Sequence, residues 1–136
     1  RFADGETLRV GPIALTPHLT AGHTPGGTTW TWRSCDDAGC LDLVYADSQT
    51  PISAEGFRFS DGHAYPTALA DFERGFRKIE TLSCDILITP HPSGSSLWER
   101  LERGPAGLID PKACERYAAA GRQRLARRLQ EERGNR

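Results

Sequence analysis

The spacing of apolar positions along the chain changes from a period of two to a period of three to four. Leu8 to Val10 and Ile13 to Leu19 read as two short strands around the Gly11-Pro12 turn. Thr28 to Arg33 alternates Thr28, Trp30 and Trp32 against Thr29, Thr31 and Arg33, and its β-branched and aromatic content suits a strand. Its expected partner is Leu41 to Ala46. Residues 47–64, rich in Ser, Pro, Gly and Asp, predict a loop of the length that carries function or disorder. Pro66 then suits the first residue of a helix in which Leu69, Phe72, Phe76 and Ile79 form one buried stripe, ending near Leu82. Asp85 to Ile88 is a short apolar strand that runs into Thr89-Pro90-His91-Pro92-Ser93. A second helix is expected over 96–103. After the Gly104 to Gly107 break, Asp110 suits the cap of a third helix that starts at Pro111 and ends near Gly134, with the stripe Cys114, Tyr117, Ala118, Gly121, Leu125 and Leu129.

Strands followed by helix, strand, helix and helix predict an α/β layered arrangement, a mixed sheet with outer helices, and a half-sandwich fits better than a complete one. The pattern shows no internal repeat and no linker, so residues 1–136 are expected to form one unit. Leu, Ile, Val and Phe make up about 19 % of the chain, thin for a domain of this size, which buries about two thirds of its surface. The core is therefore expected to be incomplete. The chain contains no Met, so it is expected to be a processed product or a piece of a longer polypeptide with residues upstream of Arg1.

No apolar run approaches the roughly 18 residues of a membrane helix, and Arg1-Phe2-Ala3-Asp4 has no signal-peptide pattern, so no membrane partner is expected. The net charge of −1 hides an acidic stretch to residue 110 and a basic one after it. The late arginines sit on a helical pattern without aromatic interleaving, which reads as a solvated helix face and not as a nucleic-acid surface.

Four cysteines are an even count, and their spacing is not that of a zinc ribbon. A Cys35–Cys40 bridge across the base of the hairpin is geometrically reasonable, worth about 2 kcal/mol by chain entropy, and a Cys84–Cys114 bridge about 3 to 4 kcal/mol. If both form, the compartment is oxidising, a bacterial periplasm or the cell exterior. The alternative is four buried thiols.

Two of the four histidines stand where chemistry is built. His23 lies in Ala21-Gly22-His23-Thr24-Pro25-Gly26-Gly27, whose glycines let the backbone turn tightly around an imidazole. His91 ends a strand between Pro90 and Pro92. Imidazoles held on rigid loops at strand ends suit convergence on a metal, although each alone also reads as a hydrogen-bonded loop residue. His18 and His63 match no ligand motif and are expected to be structural or exposed, and Trp30 and Trp32 to be packing residues.

Gly22-His23-Thr24-Pro25-Gly26, then Tyr45-Ala46-Asp47-Ser48, then Thr89-Pro90-His91-Pro92 resemble the second half of the metallo-β-lactamase superfamily. The similarity is greatest to subclass B3 and, within it, to the AIM-like group. Thr29-Trp30-Thr31-Trp32-Arg33-Ser34-Cys35, Cys84-Asp85-Ile86-Leu87 and Leu97-Trp98 extend it over nearly the whole chain. The resemblance implies half of an αββα sandwich. It implies that His23 is a ligand of a first zinc ion and His91 of a second, two Zn2+ per complete site. Ser48 looks like the serine that replaces a zinc-binding cysteine in this subclass, and Thr50 like the hydroxyl that joins it on the substrate carboxylate. Asp47, which in glyoxalase-like relatives bridges both metals, is expected here to be a buried structural partner.

The implied activity is hydrolysis of the β-lactam amide by a zinc-bound hydroxide, a route to antibiotic resistance in a periplasmic or secreted bacterial enzyme. The family's HxHxDH motif occurs nowhere in these 136 residues. The chain is therefore expected to be the C-terminal half of the enzyme, active only with its N-terminal half. The alternatives are another hydrolase of the superfamily, a lactonase or glyoxalase-like thioesterase, and a non-catalytic disulfide-stapled binding module.

Overall fold

The computed structural model describes residues 1–134. Its elements, in order, are β1 (Leu8–Val10), β2 (Ile13–Leu19), β3 (Thr28–Asp36), β4 (Gly39–Tyr45), α1 (Ala68–Glu80), β5 (Ile86–Ile88), α2 (Leu97–Leu101) and α3 (Ala113–Gly134). Short 3₁₀ turns at Pro92–Gly94 and Pro105–Leu108 flank α2. The strands form one sheet in the order β1-β2-β3-β4-β5. All pairs are antiparallel except β4 and β5, which are parallel and so need a long crossover, supplied by the loop after β4 and by α1. The mixed sheet with helices is the expected class. No described helix is long and apolar enough to cross a membrane.

The β3–β4 hairpin is longer than its pattern predicts, because Cys35 pairs with Cys40 and Asp36 with Gly39 in register, leaving only Asp37 and Ala38 to turn. Asp36 Oδ1 accepts the N–H groups of Ala38 and Gly39, which closes that turn. Cys35 and Cys40 are bonded to each other, as are Cys84 and Cys114, so the free-thiol alternative is excluded. The second bridge ties the residues ahead of β5 to the first turn of α3.

Alternation along the strands gives the sheet two faces. Val44 and its partner Leu87 lie on one, with Thr29 and Ala46. This face is sealed by α1 and α3: Phe72, Phe76 and Ile79 from the first and Cys114, Tyr117 and Ala118 from the second join it in one buried cluster. The opposite face carries Trp30, Trp32, Leu43, Ile86 and Ile88, all half-buried, and Tyr45, 37 % exposed. Phe2 packs edge-on against Trp30 there, with ring centroids 5.0 Å apart.

Helix α1 begins at Ala68, two residues later than the proline suggests, behind a Thr67 whose hydroxyl donates to Asp71. The buried stripe runs through Ala68, Phe72, Gly75, Phe76 and Ile79. Leu69, expected inside, falls at the margin of that stripe, about 60° from Phe72 around the helix, and is 39 % exposed. Helix α3 packs closely on α1 because Gly121 faces the Phe76 ring, where a Cβ would clash. Arg122 stacks over the same ring and donates to Glu80 and Glu73 of α1. Asp110 caps as expected: its Oδ1 accepts the Lys112 N–H and its carbonyl accepts that of Ala113, so the regular helix starts at Ala113 and not at Pro111. The second helix is shorter than expected, since Pro92 and Pro105 set 3₁₀ turns on either side of it. Its Arg100 is buried and donates to the carbonyls of Leu87, Ser95 and Leu108, covering the outer edge of β5.

The long loop after β4 is ordered by α3. Glu132 accepts the N–H groups of Phe59 and Ser60 at 3.1 and 2.9 Å, and Arg128 donates to Glu132, Ser53 and the Phe57 carbonyl. Burial alone would raise the Glu132 carboxyl. Arg128, the Ser60 side chain and the two backbone N–H groups outweigh it and bring its pKa down to about 2.

Candidate functional site

Register alone brings three loops to one end of the sheet. Leu19, at the end of β2, pairs with Thr28, at the start of β3. Trp30 near that start pairs with Tyr45, the last residue of β4, and Tyr45 lies level with Ile88, the last residue of β5. Segments 20–27, 46–50 and 89–93 therefore leave the sheet side by side. They carry His23, Ser48 with Thr50, and His91.

Glycines shape the first loop. A Cβ at Gly22, where φ is 151°, would stand 2.6 Å from the Phe72 ring, and one at Gly27 would stand 2.5 Å from Asp47 Oδ2. Between them, His23 is half-buried and its Nδ1 donates to the Thr50 carbonyl at 2.8 Å. A carbonyl only accepts, so Nδ1 bears the proton and Nε2 keeps its lone pair, the arrangement in which an outer hydrogen bond orients an imidazole for ligation.

The second loop is held from beneath. Asp47 is half-buried, its N–H donating to Thr29 Oγ1 at 3.2 Å. Burial raises its carboxyl, with the Ser48 N–H and His23 pulling the other way. Ser48 and Thr50 are half-buried, and Ser48 Oγ accepts the Thr50 N–H at 3.4 Å. In the third loop His91 is exposed and its carbonyl accepts from Gly94 N–H and Thr89 Oγ1. His18 is away from this group: its ring bonds Thr31 Oγ1 at 2.9 Å, and burial, then Lys78, lowers its pKa. His63 is exposed beside Asp61.

Two residues of this neighbourhood carry no sequence motif. Gln49 is fully buried, its amide donating to the carbonyls of Thr20 and Ser48. Tyr117, 5 % exposed, donates its hydroxyl to the Asp47 carbonyl and accepts the Gln49 N–H. The only signal for the tyrosine is chemical: a phenol on a buried stripe needs a partner for its polar tip.

Among the described residues no group of three or more His, Cys, Asp or Glu side chains is arranged to hold a metal ion. The donor set instead fits part of a centre. His23 offers an oriented Nε2 and His91 an exposed ring, whereas zinc in proteins takes three or four protein ligands.

No family model matches the chain. Solved structures do. The Rm3 metallo-β-lactamase is 50 % identical over 96 % of this chain and 50 % of its own, with a TM-score of 0.93. MEM-A1, a subclass B3 metallo-β-lactamase isolated from a soil metagenome library, is 42 % identical over 99 % of this chain and 53 % of its own, with a TM-score of 0.94. The SMB-1 metallo-β-lactamase is 46 % identical, matching 96 % of this chain and 51 % of its own at a TM-score of 0.90. This chain spans about half the length of each. From its sheet, its loops and these likenesses, the chain belongs to the subclass B3 metallo-β-lactamases and corresponds to half of their fold.

Proposed function

We propose that these residues are the C-terminal half of a zinc-dependent β-lactam hydrolase of the bacterial periplasm or exterior, active when joined to its N-terminal half. The observation that carries this reading is the gathering of three loops at one sheet end around a His23 ring whose Nδ1 is committed to Thr50. In the proposed site His23 binds one zinc ion through Nε2 and His91 binds the other. Zinc, when bound, supplies Lewis-acid charge stabilisation and activates water at neutral pH.

The chain's own residues do the rest. The Thr50 carbonyl fixes the imidazole direction, and the glycines at 22 and 27 let the loop lie tight against Phe72 and Asp47. The Ser48 and Thr50 hydroxyls hold the substrate carboxylate, each such bond contributing about 1 to 3 kcal/mol. The half-buried face of Trp30, Trp32, Leu43 and Ile88 receives the other half. Two disulfides support an oxidising compartment.

The test is reconstitution. The chain mixed with the N-terminal half of a subclass B3 relative and zinc should hydrolyse a chromogenic cephalosporin and not a glutathione thioester, and neither half should do so alone. Thioester turnover in place of cephalosporin turnover, or full activity of this chain by itself, contradicts the reading.

A further inference from the structure

We infer that Tyr117 is a positioning residue for the site, gripping the Ser48 loop from below and, through it, aiming His23; this rests on the function proposed above. The Asp47 carbonyl and the Gln49 N–H belong to the two peptide groups on either side of the Ser48 Cα. One phenol oxygen engages both, donating to the first at 3.0 Å and accepting from the second at 3.2 Å. That fixes both backbone torsions of Ser48 from a rigid helix. Thr50, two residues on, carries the carbonyl that accepts the His23 Nδ1–H, and Gln49 ties the same segment to Thr20 at the root of the His23 loop.

Tyr117 reaches the third loop as well. The turn after His91 runs past the tyrosine edge: a Cβ on Gly94 would lie in ordinary contact with the Tyr117 ring, at 3.7 Å. The ring itself is anchored one turn beyond Cys114, whose disulfide joins α3 to the chain entering β5. A single side chain thus holds the backbone of the Ser48 loop, borders the turn after His91 and acts on the His23 loop through Thr50. Removing its hydroxyl leaves a half-buried carbonyl and a buried N–H without this partner, and the segment moves to recover them.

The test separates this from the proposed activity by reading the metal-free chain first. Above the pH range of imidazole titration, nitrogen-15 spectra should show His23 in a single Nδ1–H form. Tyr117→Phe should convert this to a mixture of the two tautomers, while Leu129→Ala, which removes packing from the same helix, leaves it single. Hydrogen exchange in the unmodified chain covers the case in which Tyr117→Phe does not fold: the Gln49 amide should exchange as slowly as the amides of α3. In the reconstituted enzyme Tyr117→Phe should weaken zinc binding about 10- to 100-fold, the range for residues that orient a ligand. A folded Tyr117→Phe with His23 unchanged, or a Gln49 amide exchanging like an exposed loop, overturns the proposal. Loss of the predicted zinc binding in the unmodified enzyme, with the tautomer result intact, would overturn the function and not the positioning.

Discussion

The two faces of the sheet differ both in what they are made of and in what covers them. One mixes Val44, Ala46 and Leu87 with Thr29, Thr31 and the Arg33–Asp42 pair, and its apolar part is sealed under Phe72, Phe76 and Ala118, whereas on the other Trp30, Trp32, Leu43 and Ile88 stay half-buried. A contiguous half-exposed patch with two tryptophans is unlike the scattered apolar residues of an ordinary surface. The covered face therefore holds this chain together, and on the proposed reading the other face holds it to its missing half. Substitutions on the first should act on folding and substitutions on the second on association.

Phe76 tests the covered face most severely. Phe76→Ala empties the contact of α1 with α3 and should cost about 3 to 5 kcal/mol in chemical denaturation. Replacing Cys84 and Cys114 together by Ser should cost about 3 to 4 kcal/mol by the same measurement, because the bridge closes a long loop of the unfolded chain. Glu132→Gln should cost about 2 to 3 kcal/mol at neutral pH. The Glu132 carboxyl is depressed in the folded chain, so its contribution is complete above its ordinary value of 4.5 and disappears as pH falls towards about 2. The difference in stability between the two proteins should shrink over that window and stay constant above it. Trp32→Ala should change the stability of the isolated chain by less than about 1 kcal/mol, yet weaken its association with the N-terminal half at least about tenfold, as loss of a buried aromatic anchor does. Equal effects of Phe76→Ala and Trp32→Ala on folding would erase the distinction between the faces.

The pattern of apolar residues was enough to locate every strand and helix, because period and turn chemistry are local. It failed where a tertiary contact decides. Leu69 fits the three-and-four spacing, but the face that packs runs through Ala68 and Phe72, leaving Leu69 at its margin in the first turn. The hairpin outruns its apolar pattern because register and a disulfide extend it through polar residues. The site was legible as three motifs, and strand register brings their loops to one end of the sheet. What holds them was not legible. The His23 bond to Thr50 spans 27 positions and the Tyr117 bond to Asp47 spans 70, so neither bond leaves a local signal, even though the His23 motif itself stands out. Nor does any local pattern show that Gly27 and Gly75 each make room for a specific side chain, Asp47 and Gln49 respectively.

The central claim is that His23 and His91 each complete a different metal position, and metal content tests it most directly. Elemental analysis of the reconstituted enzyme should find two zinc ions per complex, with His23→Ala and His91→Ala each losing one. Zinc content unchanged by both substitutions would contradict the account.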